Sequence, residues 1–284
     1  MIMKNILVAT DFSNNAYCAL FYVTKLLASE PCNFYLLNVF NELTPLLRKK
    51  TKLLVGKKLL KKLQIESEEN LTSTMHKIVL DNENPQHQFH TLSKKGILTK
   101  IILNTLDTNH FDLIVMGNKG LNESADVFFG SNTIQVANKI NECPILAIPG
   151  EMEYKEPKEI AFITDFKNGC TKNTIEPLLS IASITSAQIR VLHITEEEIL
   201  NTQQESNRKL LDICLKDIDH TFYWRQLFGD KAIVIHEFIE KLNIDLYAMV
   251  NRPHNIFEKL THEPVIKDVS LYAKTPFLIL PSRD

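Results

Sequence analysis

Short, nearly continuous apolar runs alternate with amphipathic stretches along most of the chain. Asn5–Thr10 is the first run, and it leads into a stretch of helical spacing from about Asn14 to Ser29, with Ser13 placed to act as its N-cap. Further runs at Asn33–Phe40, Gln88–Ser93, Phe111–Met116 and Pro144–Ile148 predict four more strands, with helices over Ile97–Thr108 and Thr133–Ile140 between them. Strands apolar on both faces and separated by helices imply a parallel sheet covered on both sides.

The plan then recurs. Lys4-Asn5-Ile6-Leu7-Val8-Ala9-Thr10-Asp11-Phe12 matches Lys158-Glu159-Ile160-Ala161-Phe162-Ile163-Thr164-Asp165-Phe166, with Thr-Asp-Phe closing each run. Asp112–Met116 resembles Asp245–Met249, and Cys143–Pro149 resembles Thr275–Pro281, in the same order along the chain. Three ordered matches at this separation predict duplicated domains and not a solenoid of short repeats. In the second copy the strands are expected at Ile160–Thr164, Gln188–His193, Phe222–Leu227, Asp245–Val250 and Pro276–Leu280, and the helices at Ile175–Ile184, Ser206–Leu215 and Ile233–Leu242. The polar stretch Gly150–Pro157 reads as a linker, which divides the chain into residues 1–152 and 153–284. The length of 284 residues suits two domains of roughly 140 residues, each able to bury a core.

Charge and cysteine content narrow the setting. With 32 Lys and Arg against 34 Asp and Glu, no global basic field points to nucleic acid. The five cysteines have no paired metal-ligand spacing and suit a reducing compartment. Met1–Ala9 reads as a strand and not as a signal peptide, and no run reaches the ~18–20 apolar residues needed to span a bilayer. A cytoplasmic protein is therefore expected.

Candidate chemistry concentrates after the fourth strand. Gly117-Asn118-Lys119-Gly120 follows that strand, and Gly130-Ser131-Asn132-Thr133 precedes a helix. Glycines leave backbone N–H groups accessible, and a helix start adds oriented N–H groups with a partial positive end, so this strand-loop-helix suits phosphate. Ser131 adds a hydroxyl, while Asn132 and Thr133 are candidates for a further contact or a helix cap. The spacing is not that of the Walker loop, and the first strand lacks the dinucleotide fingerprint. In an open parallel sheet the C-terminal ends of strands one and four face one crevice where strand order reverses, which brings Thr10 and Asp11 opposite Gly117 and Gly130.

These motifs resemble the universal stress protein family in a tandem, two-copy form. The family's pattern of glycine, two residues, glycine, nine residues, glycine and Ser or Thr is met by Gly117, Gly120, Gly130 and Ser131, and Ile6–Ser13 and Cys143–Leu146 also fit. The resemblance implies an α/β fold of two tandem Rossmann-like domains, each an open five-stranded parallel sheet of order 3-2-1-4-5 between helices. It implies an adenine nucleotide (ATP, with ADP or AMP open) in the crevice. Ala9, Asp11 and Val39 would then lie by the adenosine, and Met116 and Gly117 by the ribose and first phosphate. Gly120, Gly130, Ser131 and Asn132 would surround the phosphate chain, with Lys119 as an added charge. Mg²⁺ would be held mainly by phosphate oxygens and water. The resemblance also implies that the two domains pair as a pseudo-twofold through their last strands, while a homodimer or a regulatory protein partner stays open.

The second copy departs from the pattern. Val250 stands where Gly117 does, Pro253 where Gly120 does, and His262 with Glu263 replace Gly130 and Ser131, so nucleotide is expected in the first domain alone. His87 with His90, and His254 with His262, form no closed metal site. No nucleophile-base pair is evident, so a regulatory role is expected, with slow ATP hydrolysis or phosphotransfer ranked last. A nucleotide-independent scaffold is the alternative. Leu46–Ile65 is an extra, lysine-rich amphipathic segment, expected to cover the domain or a partner; contact with an acidic membrane surface is its lesser reading.

Overall fold

The computed structural model describes residues 3–41, 57–118, 130–150, 152–195, 199–226, 231–252 and 274–282. In chain order its first half contains β1 (Lys4–Ala9), α1 (Asn14–Leu26), β2 (Cys32–Phe40), α2 (Lys57–Asn82), β3 (His87–Lys95), α3 (Leu98–Thr108), β4 (Leu113–Gly117), α4 (Ser131–Lys139) and β5 (Ile145–Ile148). The second contains β6 (Glu159–Thr164), α5 (Lys172–Thr185), β7 (Gln188–Thr195), α6 (Thr202–Leu215), β8 (His220–Gln226), α7 (Lys231–Leu242), β9 (Leu246–Asn251) and β10 (Phe277–Pro281).

Local sequence accounts for the element ends. Ser13 accepts the Ala16 N–H at 3.1 Å and caps α1, which then buries Ala16, Ala19, Leu20, Val23 and Leu26 at helical spacing. Asn201 and Gln204 form a reciprocal capping box that starts α6 a full turn before the expected Ser206. α5 begins at Lys172, capped by Thr171, and carries Pro177 in its second turn. α2 runs to Asn82, far past the expected Ile65, because only Leu63, Ser67, Leu71 and Ile78 are buried and the narrow stripe hides a long helix in polar sequence.

The expectation of two separate five-stranded parallel sheets is overturned. One ten-stranded sheet has the order β3-β2-β1-β4-β5-β10-β9-β6-β7-β8. β5 and β10 pair antiparallel, with Phe277 opposite Ala147, Leu278 opposite Leu146 and Ile279 opposite Ile145, whereas the other pairings are parallel. The physical reason lies in these two strands. Every residue of each is buried, so as edges they would leave unpaired N–H and C=O groups in an apolar setting. Pairing satisfies both edges and lets the cores run across the seam: Val8, Leu146, Leu278 and Phe162 share one apolar layer, and Leu7, Ala147, Phe277 and Ala161 share the layer on the opposite face.

Contacts between the halves reinforce the seam. Tyr154 in the connecting stretch packs edge-on against Tyr22, 5.2 Å between centroids. Lys4 Nζ donates to Ser180 Oγ at 3.1 Å, and Asn251 Nδ2 donates to Ala137 O near the end of α4.

Candidate functional site at the C-terminal edge of the first strands

The crevice arises from the strand ladders. β1 pairs with β4 only through Val8–Val115, whereas β1 continues beside β2 to Ala9–Leu37 and β4 beside β5 to Gly117–Ile148. The two central strands therefore part company at their C-terminal ends. Ala9 and Met116 are buried there in the same apolar layer, and half-buried Val39 at the end of β2 packs against that layer.

Thr10 and Asp11 fix the turn that follows β1. Thr10 donates its N–H to Leu37 O at 2.9 Å, and its hydroxyl accepts the Phe12 N–H at 3.0 Å. Asp11 Oδ1 accepts both the N–H and the hydroxyl of Ser13, at 3.0 and 2.6 Å. This geometry holds Phe12 at φ 63°, in the left-handed region, and aims α1 back along the sheet.

Gly117 closes the other wall. A Cβ at this position would meet the Asn15 carbonyl carbon and oxygen at 3.1 Å and the Ala16 nitrogen at 3.3 Å, so β4 approaches the start of α1 backbone to backbone. Beyond it the loop is drawn shut at its neck: Asn118 N–H donates to Ile148 O at 2.8 Å, and Gly130 N–H donates to Asn118 O at 2.6 Å. Thr133 Oγ1 donates to Gly117 O at 3.2 Å, so this hydroxyl ties the helix start to the strand end. Ser131 and Asn132 are exposed on the first turn of α4. The ladder of that helix opens with Ile134 N–H to Gly130 O at 3.1 Å, which places the Asn132 and Thr133 amides ahead of it.

The structure thus brings Ala9, Thr10, Asp11, Val39, Met116, Gly117, Gly130, Ser131, Asn132 and Thr133 to one edge of the sheet. Lys119 and Gly120 lie outside the described residues, as do Pro253, His254, His262 and Glu263. Val250 is described, and it is buried at the end of β9. His87 and His90, three residues apart on β3, face opposite sides of the sheet and do not converge as ligands: His87 packs against Asn82, Asn84 and Leu27 O, and His90 stacks on Tyr35. Among the described residues no group of three His, Cys, Asp or Glu side chains is arranged to hold a metal ion, and no helix is long and apolar enough to cross a membrane.

Two residues at this edge escaped sequence reasoning. Asn38, buried in β2, donates Nδ2 to Thr10 O at 2.7 Å and accepts from Ser67 Oγ at 2.8 Å; Ser67 also shares a 2.8 Å bond with Ser93. The signal was present as one amide inside the apolar run Tyr35–Phe40. Asn118, only 4% exposed, has an Oδ1 atom that is buried without a hydrogen-bond partner at the neck of the loop.

The corresponding edge of the second half is built differently. His193 occupies the register position of Asn38, with Nδ1 3.1 Å from Thr164 O, and stacks on Phe166. Burial pushes its pKa below the usual histidine value, outweighing the hydrogen bond to Thr164 and the nearby Asp165 charge.

Solved structures share the fold. A protein of the universal stress type from Archaeoglobus fulgidus superposes with a TM-score of 0.67 at 15% identity, covering 97% of this chain and 95% of that one. A candidate universal stress protein from Pseudomonas aeruginosa gives 0.58 at 13% identity, with 98% and 92% covered. The cytoplasmic domain of a prokaryotic cation chloride cotransporter gives 0.51 at 10% identity, with 99% and 96% covered, so the fold alone spans different settings. No curated protein matches the chain in sequence. The profile of the Universal stress protein family matches residues 3–149, more than half of the sequence, and the chain belongs to that family.

Proposed function

We propose that the protein is a regulatory adenine-nucleotide binder that takes one ATP, or its ADP or AMP relatives, in the crevice of the first half. The observation that carries this reading is the parting of β1 and β4 beside the α4 start. It sets an apolar wall of Ala9, Val39 and Met116 next to exposed Ser131 and Asn132 at a helix N-terminus. The wall suits a flat base, and the helix start suits the phosphates. Gly117 and Gly130 keep side-chain bulk out of the path between them. Mg²⁺ would arrive with the phosphates and be held mostly by their oxygens and water, since the described residues offer it no carboxylate cluster.

The chain is read as two copies, residues 1–152 and 153–284, paired as a pseudo-twofold within one molecule. Three correspondences support this. Phe12 and Phe166 both follow Thr-Asp with positive φ, 63° and 55°. Asn38 and His193 bond to Thr10 O and Thr164 O. Asp112 and Asp245 take main-chain N–H groups of Asn5 and Glu159. The second copy is read as a partner surface without nucleotide, and the protein as cytoplasmic.

A scaffold that works without nucleotide is the second reading. It is favoured by the internal use of the Gly130 N–H, the Thr133 hydroxyl and Asp11 Oδ1. Fast hydrolysis has no support from that same arrangement. Isothermal titration of nucleotide-free protein with ATP and Mg²⁺ separates the readings. Gly130 has φ −62° and ψ 150°, which any residue adopts, so Gly130→Val tests obstruction and not strain. Binding by the wild type, at least tenfold weaker in Gly130→Val and unchanged in Pro253→Ala, is expected. A folded wild type that binds no adenine nucleotide puts the scaffold first.

A further inference from the structure

A basic surface lies beside this edge, formed by the start of α2 and the end of β3. Lys57, Lys58, Lys61 and Lys62 are exposed along the first turns of α2, and Lys94 and Lys95 are exposed at the end of β3. The two groups are neighbours. Ser67 and Ser93 share a hydrogen bond, and one turn earlier Leu63 packs with Phe40, whose register partner is Lys95. Because α2 and β3 are antiparallel, the α2 lysines and Lys95 converge at one end of the sheet, while Lys94, beside Val39, alternates to the opposite face of the same strand end.

No ion pair holds them among the described residues, and the acidic residues of the helix, Glu66, Glu68 and Glu69, begin only after this stretch. No Asp or Glu occurs in residues 57–65 or at 94–95, and among the described residues none of the six lysines forms an ion pair with a carboxylate. In sequence, Arg48, Lys49, Lys50 and Lys52 come shortly before them. On the helical wheel Lys58, Lys61, Lys62 and Ile65 lie opposite the buried stripe of Leu63, Ser67 and Leu71. Ile65 is 47% exposed in their midst.

From this convergence we propose that the α2–β3 face docks on a bilayer surface rich in anionic lipid. The charge complementarity is local: the whole chain is formally −2, so such a patch orients the molecule on a negative plane where the global charge does not. The composition favours lipid over nucleic acid. The charges among the described residues are all lysines, compact point charges suited to a diffuse headgroup layer and lacking the guanidinium fork that makes bidentate phosphate or base contacts. The exposed apolar residue at the centre is Ile65, which suits the headgroup boundary and offers no ring for base stacking. This docking does not depend on nucleotide.

The test is co-sedimentation of the full chain with vesicles of phosphatidylcholine containing about one-third phosphatidylserine, against pure phosphatidylcholine. Binding to the anionic vesicles alone is expected, weakening as salt rises. The variant Lys58→Glu/Lys61→Glu/Lys62→Glu should lose about a hundredfold in partitioning. A variant with the same charge change elsewhere, Lys139→Glu/Lys167→Glu/Lys216→Glu, should lose far less. Circular dichroism establishes that each variant is folded. The proposal is overturned by no binding of folded wild type to anionic vesicles, by equal binding to neutral ones, or by equal loss in both variants. Tighter binding to a DNA duplex than to the vesicles would overturn it in favour of a nucleic-acid surface.

Discussion

Replacing Gly117 by alanine probes the site at its most constrained point. The added Cβ would stand 3.1 Å from two backbone atoms of Asn15 and 3.3 Å from the Ala16 nitrogen, and none of these is the end of a flexible side chain. Relief requires β4 or the first turn of α1 to move by a few tenths of an ångström. Asn118 is tied to Ile148 and Gly130 to Asn118, so the displacement is resisted on both sides. Overpacking of this kind costs about 1–3 kcal/mol. At roughly 2–4 °C per kcal/mol for a chain of this order, the melting temperature should fall by about 2–12 °C. The same shift moves the start of α1 relative to the crevice, so ATP affinity should fall together with stability. Two controls calibrate the calorimetry. At Gly169 the nearest atom to an added Cβ is Asn207 Oδ1 at 3.1 Å, and at Gly150 the clash is with the Asn15 side chain, so at both positions the neighbour is a side chain and not backbone. Gly169→Ala and Gly150→Ala should therefore cost less than Gly117→Ala. A Gly117→Ala protein that melts within about 1 °C of wild type and binds nucleotide equally would refute the backbone-contact reasoning.

Three further outcomes follow from other parts of the structure. Asn38→Ala should cost roughly 1–3 kcal/mol, and a double-mutant cycle with Ser67→Ala in urea unfolding should return a coupling of about 0.5–1.5 kcal/mol; additive effects would mean the Asn38–Ser67 bond contributes nothing. Burial holds the pKa of His87 and His193 below the ordinary histidine value, so the unfolded chain binds protons that the fold refuses. Stability should be full above about pH 6.5 and decline as pH falls, and His193→Asn should make that decline shallower; an unaltered acid limb in the variant would count against His193 as a source. Hydrogen exchange should show the amides of β5 and β10 protected like those of interior strands, whereas fast exchange along Ile145–Ile148 would contradict the continuous sheet.

Much of the fold was legible because the apolar runs are short and clean. The expected Asn33–Phe40 and the observed Cys32–Phe40 differ by one residue, and Ser13 caps α1 as its side-chain chemistry implies. Periodicity did not reveal that the sheets fuse, because it reports which face a side chain occupies and says nothing of the strand edge; pairing through the last strands was implied only by the family resemblance. A weak signal existed: neither Ile145–Ile148 nor Phe277–Pro281 contains a charged residue of the kind that protects a free edge. The first turn of α6 was missed because Thr202–Glu205 is polar, although Asn201 and Gln204 carry the spacing of a reciprocal cap. At the site, sequence spacing singled out Gly117, Gly130 and Ser131, which lie at one edge of the sheet, and Gly120, which lies outside the described residues. The internal engagement of Thr133 and Asp11 depends on side-chain direction, which spacing does not encode.

Equilibrium dialysis of nucleotide-free full-length protein against labelled ATP with Mg²⁺ tests the central claim most directly, because it counts sites. The account predicts saturation at one nucleotide per chain, abolished or strongly weakened by Gly130→Val and retained when Val250 at the end of β9 is replaced by alanine. Saturation at two per chain would contradict the reading of the second half, and no retention of ATP, ADP or AMP by the folded protein would contradict nucleotide binding itself.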